Sequence, residues 1–153
     1  MKGLIIENKT DCEIVSKKII KFSQEKVFEA WENPSILQFW WGPNGFTNLF
    51  LEHHFVENGK WNFVMFSHEG KEYINECVFL SIKKPEFIAW DYLSKPLLQV
   101  QVSFKKITET STEIICKTIF ESKMKRDKLL KIVLTKNEEM LNKLEIEMIK
   151  IFH

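Results

Sequence analysis

The strongest constraint on the fold is a stretch from residue 48 to residue 120 in which hydrophobic and polar residues alternate. A period of two is typical of β-strands that bury one face. Short segments rich in Gly, Pro, Asn and Ser divide the stretch, and connections this short favour antiparallel hairpins. We therefore predict six strands, over 48–56, 60–67, 72–83, 87–92, 97–106 and 113–120.

The region before this stretch predicts one strand and two short helices. Residues 12–22 alternate loosely and read as the first strand. Ser23 is a suitable N-cap for a helix, which Pro34 ends because the residue before a proline is disfavoured in the α region. A second short helix can carry Ile36, Leu37, Phe39 and Trp40.

Helical spacing returns after Phe120. Thr135 and Glu138 have the spacing of a capping box, which predicts that a long terminal helix begins there. One face of this helix carries Leu141, Leu144, Met148 and Ile151. The whole pattern predicts an α+β fold in which a curved antiparallel sheet of six to seven strands packs around the terminal helix.

Size, charge and cysteine content restrict the class of protein. We expect one domain over 1–153, with its core at about 12–152. The net charge of +1 argues against nucleic acid or a membrane surface as a partner, and no apolar run has the length of a membrane span. Cys12, Cys77 and Cys116 show no paired spacing and are expected to be small buried residues. We predict a soluble, cytoplasmic protein.

Several local motifs resemble one known family. They are Ser23 with 27–31 (Val-Phe-Glu-Ala-Trp), 39–43 (Phe-Trp-Trp-Gly-Pro), 45–47 (Gly-Phe-Thr), 59–65 (Gly-Lys-Trp-Asn-Phe-Val-Met), 70–76 (Gly-Lys-Glu-Tyr-Ile-Asn-Glu), 84–86 (Lys-Pro-Glu) and 137–145. The chain is similar to the START-like (SRPBCC, polyketide cyclase-like) superfamily, in the branch of homologues of the activator of the heat-shock-protein-ninety ATPase. This resemblance implies a helix-grip fold with an internal cavity, which different members use for different ligands.

The chain departs from this family at one turn. Relatives usually carry an Asp-x-Arg-x-Gly-Gly sequence where 54–59 read His-Phe-Val-Glu-Asn-Gly. A role that depends on that acid and arginine therefore does not transfer to this chain.

The resemblance and the alternation together predict which residues face the cavity. A sheet wrapped around a helix leaves space that either side chains or a ligand must fill. The candidate pocket residues are Trp31, Trp40, Trp41, His53, Trp61, Phe63, Met65, Tyr73, Asn75, Cys77, Phe79, Trp90, Tyr92, Leu141 and Leu144.

His53 and His54 invite a metal site, but neighbours on a strand point to opposite faces and cannot share one ion without a bulge. We expect His53 to face inward together with Leu49, Leu51 and Phe55, and His54 to face solvent. No metal ligand set, phosphate-binding loop or dinucleotide motif is present, so we predict neither a metal nor a cofactor.

The polar residues of the later strands divide between the two faces. Gln99 and Gln101 alternate with hydrophobic residues and are expected on a solvated outer face. Asp91 is also expected to face outward, between Trp90 and Tyr92.

Three functions remain open at this point. The first is a binding protein for a small hydrophobic or amphipathic ligand, without catalysis. The second is a protein-interaction or co-chaperone-like module, which the resemblance alone suggests. The third is a cyclase- or hydrolase-type enzyme in which His53, with Tyr73 or Asn75, polarises a carbonyl. An exposed edge strand or a Trp40–Trp41 patch can also support a homodimer.

Overall fold

A computed structural model describes residues 3–152, so the ends of the predicted domain, Met1, Lys2 and His153, lie outside the described residues. After a short 3-10 turn (Thr10–Cys12), these residues form seven strands and three α-helices. The strands are β1 (Glu13–Ile20), β2 (Thr47–His53), β3 (Lys60–Phe66), β4 (Glu72–Lys83), β5 (Phe87–Tyr92), β6 (Leu98–Thr108) and β7 (Ser111–Phe120). The helices are α1 (Gln24–Glu32), α2 (Pro34–Trp40) and α3 (Lys123–Phe152).

All seven strands form one antiparallel sheet in the order β1-β7-β6-β5-β4-β3-β2. Hairpins join consecutive strands from β2 to β7, while β1 pairs with β7 after α1 and α2 have crossed the inner face. The predicted α+β class, with a curved sheet, two short helices after the first strand and a long terminal helix, is confirmed.

The two short helices begin and end where the sequence predicts. The Ser23 hydroxyl accepts the backbone N–H of Lys26, and α1 ends just before Asn33. Pro34 is the first residue of α2, where its missing N–H costs no hydrogen bond.

The predicted start of the terminal helix is wrong. α3 begins at Lys123, and its N-cap is Ser122, whose hydroxyl accepts the N–H of Lys125 at 3.2 Å. Thr135 and Glu138 lie inside the helix. No Gly or Pro occurs from 121 to 152, so nothing interrupts the helix before the capping-box pattern is reached.

Only the C-terminal half of α3 is fully packed against the sheet. Its buried residues are Met140, Leu141, Leu144 and Met148. The predicted stripe is therefore correct except for Ile151, which is 44% exposed. Within the described chain, the half of α3 from 123 to 139 contains no fully buried residue.

The Trp40–Trp41 pair lies in the core. Trp40 is fully buried, and its indole N–H donates to the carbonyl of Ala30 at 3.2 Å. Trp41 is 5% exposed and packs against Trp61 and Trp90. The prediction that this pair forms an exposed dimerisation patch is therefore wrong, and a homodimer through an edge strand stays a prediction.

A β-bulge in β2 changes which of its residues face inward. The pairing with β3 shifts between Phe50 and Glu52, so that Phe50 and His53 both lie on the inner face. Leu49 and Leu51, which were expected beside His53, are instead more than half exposed. An extra residue in a strand reverses the alternation beyond it.

The outer face of the sheet is partly covered, which contradicts the prediction for two glutamines. Gln99 and Gln101 are buried because the N-terminal segment crosses them. The Gln99 side chain accepts the N–H of Ile6 at 2.9 Å and donates to the carbonyl of Leu4 at 2.8 Å, while Gln101 donates to the carbonyl of Ile6 at 2.9 Å. Asp91 faces outward as predicted and accepts a hydrogen bond from Gln99.

Candidate ligand pocket

A pocket of about 310 Å³ lies between the inner face of the sheet and the N-terminal half of α3. Its floor is formed by β5, β6 and β7, its roof by α3, and its ends by the loops around Gly42 and Lys95. The wall residues are Trp31, Trp41, Gly42, Pro43, Met65, Asn75, Trp90, Tyr92, Lys95, Pro96, Leu98, Val100, Val102, Cys116, Thr118, Phe120, Leu129, Ile132, Val133, Lys136, Asn137 and Met140.

The position of the pocket follows from the sizes of the inward-facing side chains. On β3 and β4 these side chains include Trp61, Phe63 and Phe79, which are buried and fill the space beneath the sheet. On β6 and β7 the wall includes Val100, Val102, Cys116 and Thr118, which are smaller, beside the larger Leu98 and Phe120. The aromatic side is therefore packed, whereas space remains beside β6 and β7.

The loop after α2 forms one end of the pocket and is fixed to α3. The Lys143 ammonium donates to the carbonyls of Gly42 and Pro43 at 3.2 and 3.3 Å. Burial lowers the pKa of Lys143. Gly42 has φ of +91°, and a Cβ there would lie 2.5 Å from the terminal methyl of Met65. The positive φ therefore favours glycine at this position, whereas the methyl of Met65 is the end of a flexible side chain that can shift.

Two deeply buried polar groups of the wall are hydrogen-bond donors without a partner inside the protein. They are the indole N–H groups of Trp31 and Trp41, in side chains that are at most 5% exposed. A buried donor that lacks an acceptor costs about 1–3 kcal/mol. The site can therefore gain stability from any occupant that brings acceptor atoms.

Two ionisable groups of the wall stay uncharged. Burial raises the pKa of the Cys116 thiol to about 12, so it is protonated and a poor nucleophile near neutral pH. Burial also raises the pKa of the Tyr92 phenol, although a hydrogen bond with the Trp90 side chain acts in the opposite direction, so the phenol stays protonated near neutral pH.

The fifteen predicted pocket residues fall into three groups. Those that line the pocket are Trp31, Trp41, Met65, Asn75, Trp90 and Tyr92. Those that pack in the core without lining it are Trp40, His53, Trp61, Phe63, Cys77, Phe79, Leu141 and Leu144. Tyr73 is 41% exposed and packs against Phe46 at the surface. Contact of any of them with a ligand stays a prediction.

His53 lies in the aromatic cluster and not in the pocket wall. Its ring stacks between those of Phe50 and Phe55, with centroid separations of 6.0 and 5.7 Å. Burial lowers its pKa, although backbone hydrogen bonding acts in the opposite direction. His53 therefore does not reach a carbonyl group in the pocket, and the geometry offers no support for the His53-based enzyme.

The residues that the sequence prediction missed come mainly from β6, β7 and the first half of α3. They include Val100, Val102, Thr118, Leu129, Val133 and Lys136. Two signals in the sequence could have identified them. The alternation in β6 and β7 has small residues on its inner face, and the absence of Gly and Pro extends α3 across these strands.

Among residues 3–152 no three His, Cys, Asp or Glu side chains are grouped so that they could hold a metal ion. Over the same residues, no helix combines the length and the hydrophobicity needed to span a membrane.

Residues 21–148 match the family described as Activator of Hsp90 ATPase homolog 1-like protein. No curated protein sequence matches this chain. Many solved structures share the fold. A protein of Nitrosomonas europaea is 13% identical with a TM-score of 0.85, and the match covers 94% of this chain and 97% of that one.

Two further solved structures are similar over nearly their whole length. A protein of Arthrobacter aurescens is 18% identical with a TM-score of 0.84, and the match covers 97% of this chain and 92% of that one. The AHSA1 protein of Silicibacter pomeroyi is 17% identical with a TM-score of 0.75, and the match covers 90% of this chain and 98% of that one. At these identities the likeness shows the fold alone. Together with the family match over residues 21–148, it confirms the START-like resemblance.

Proposed function

Since the chain belongs to the family of Activator of Hsp90 ATPase homolog 1-like proteins, we propose that it uses the cavity of this fold to bind a small amphipathic molecule. The ligand occupies the space between β5–β7 and the N-terminal half of α3. The three buried cysteines are unpaired, which favours a reducing compartment such as the cytoplasm as the place of action.

One observation carries this proposal: the pocket is largely apolar, but two of its buried indole N–H groups lack acceptors within the protein. A ligand with a hydrophobic body and a polar end satisfies both features of the site.

The volume sets the size of the ligand. A buried apolar cavity of about 150 Å³ accommodates benzene. The pocket of about 310 Å³ is about twice as large and lies at the lower end of the range for small-molecule sites. Two fused aromatic rings with a short polar substituent, or a molecule of similar size, fit this volume.

A thermal-shift screen of amphipathic compounds of this size tests the proposal. A compound present at about 100 times its Kd stabilises the native state by about 2.7 kcal/mol, which for a protein of this length raises Tm by about 5–10 °C. Native mass spectrometry of the same mixtures should show one bound molecule per chain.

A pocket-filling variant provides the control. Val100 lies in the wall on β6, so Val100→Trp should occupy the space and abolish the Tm shift while the fold is retained. Lys105→Trp places the same side chain at an exposed position of the same strand and should leave the shift unchanged. Equal ligand-induced shifts in Val100→Trp and the unmodified protein would contradict binding in this pocket.

A further inference from the structure

The charged residues of the pocket wall all have one sign. Lys95, in the loop between β5 and β6, and Lys136, on α3, line the pocket and are exposed, so they lie at its solvent side. No Asp or Glu among the described residues belongs to the wall. This local excess of positive charge contrasts with the nearly neutral chain as a whole.

Neither lysine is neutralised by the protein. Across residues 3–152, Lys95 and Lys136 take part in none of the ion pairs or side-chain hydrogen bonds. Glu139, one turn beyond Lys136 on α3, instead accepts the backbone N–H of Asn44 at 3.0 Å. Both ammonium groups are therefore available to an anion at the mouth of the pocket.

The deeply buried polar groups of the wall disfavour a cationic ligand, as the two lysines do. The buried wall atoms that lack a partner are donors, namely the indole N–H groups of Trp31 and Trp41. The side-chain amides of Asn75 and Asn137 donate to the Tyr73 carbonyl and to the Ser16 hydroxyl, so these N–H groups are already engaged. The buried part of the wall therefore disfavours an occupant that brings further donors, such as an ammonium group.

We infer that the ligand is an amphipathic anion whose apolar body lies over β6 and β7 and whose carboxylate is held at the side of Lys95 and Lys136. This inference rests on the proposed function and adds the charge of the ligand to it. A carboxylate gains from the two ammonium groups, whereas an alcohol of the same shape gains only from neutral hydrogen bonds. An ammonium head group of the same shape is repelled.

Three compounds that share a naphthalene body separate these cases. Isothermal titration of naphthylacetate, naphthylethanol and naphthylethylamine compares an anionic, a neutral and a cationic head group on the same body. Naphthylacetate should bind at least about tenfold more tightly than naphthylethanol, and naphthylethylamine most weakly. Raising the salt concentration should weaken the binding of naphthylacetate alone, so that its Kd approaches that of naphthylethanol.

Variants assign the effect to the two lysines. Lys95→Gln combined with Lys136→Gln keeps the approximate length of both side chains. The double variant should bind naphthylacetate only as tightly as naphthylethanol, and its affinity for naphthylethanol should equal that of the unmodified protein. Lys105→Gln combined with Lys128→Gln makes the same change in net charge at exposed residues outside the wall and should have no effect.

The outcomes distinguish this inference from the proposed function. If naphthylethanol binds as tightly as naphthylacetate, or if the Lys95 and Lys136 variant keeps the preference for the anion, the inference is overturned while the binding function stands. If none of the three compounds binds, the proposed function itself is overturned for ligands of this size.

Discussion

His53 illustrates how burial decides the charge state of a single residue in this protein. Its ring is enclosed by Phe50, Phe55 and Phe79. Desolvation lowers its pKa below the usual value of 6.5. The native state therefore holds His53 as a neutral, nearly apolar ring.

This shift makes stability depend on pH in a defined direction. Above pH 6.5 His53 is neutral in the folded and the unfolded chain, and it contributes no pH dependence. As the pH falls below 6.5, the unfolded chain binds a proton that the native state does not. The free energy of unfolding should therefore decrease until the pH passes the lowered pKa of the native state.

We predict that His53→Phe removes this part of the acid sensitivity. Urea unfolding from about pH 7.5 to about pH 5 should show a smaller loss of stability for the variant than for the unmodified protein. His54→Phe, the same substitution at the exposed neighbouring position, is the matched control variant. Identical profiles for His53→Phe and the unmodified protein would show that His53 titrates normally.

At the scale of the elements, the first half of α3 determines whether a pocket exists. A helix that began at Thr135 would leave β6 and β7 without a roof, because Leu129, Ile132 and Val133 would not cross them. The start of α3 at Lys123 therefore determines whether the space beside β6 and β7 is covered.

The position at which α3 starts can be tested by substituting the two candidate N-cap residues, Ser122 and Thr135. Ser122→Ala removes the hydroxyl that accepts the N–H of Lys125 and should lower the free energy of unfolding by about 1 kcal/mol. Thr135→Ala changes an exposed residue within the helix, where alanine is the better helix former, and should not destabilise the protein. A larger loss from Thr135→Ala than from Ser122→Ala would place the N-terminus of the helix at residue 135.

Most strands could be predicted from the sequence because one face of each is buried, and burial of one face produces the alternation. β4 and β5 were predicted with their observed bounds. The prediction failed where another element intervened. The bulge after Phe50 reversed the alternation, and the N-terminal segment, which has no periodic pattern of its own, buried Gln99 and Gln101.

At the scale of the whole molecule, the core is divided into a filled part and an open part. The aromatic residues gathered beneath β3 and β4 contact one another, as in the stacked pair of Trp61 and Phe79. The small residues of β6 and β7 face the less buried half of α3. The resemblance to the family predicted the helix-grip fold correctly, but the conspicuous aromatic residues directed attention to the part of the interior that is filled.

This division explains why only part of the candidate site could be predicted. Large aromatic residues are conspicuous in a sequence, and six of the predicted residues, among them Trp31, Trp41 and Trp90, do line the pocket. A cavity, however, is bounded by residues that fail to fill it. Small residues such as Val102 and Cys116 can be recognised as pocket-lining only when the pairing of the strands and the path of α3 are known.

The most direct test of the account is a measurement of which valine methyl groups contact a bound ligand. In protein with labelled valine methyls and saturated with naphthylacetate, isotope-filtered NOE spectra should connect the naphthalene protons to Val100, Val102 and Val133, which line the pocket. Val15 and Val56 are exposed elsewhere and should show none. Contacts confined to Val15 or Val56, or no contact to the pocket valines at saturation, would contradict the account.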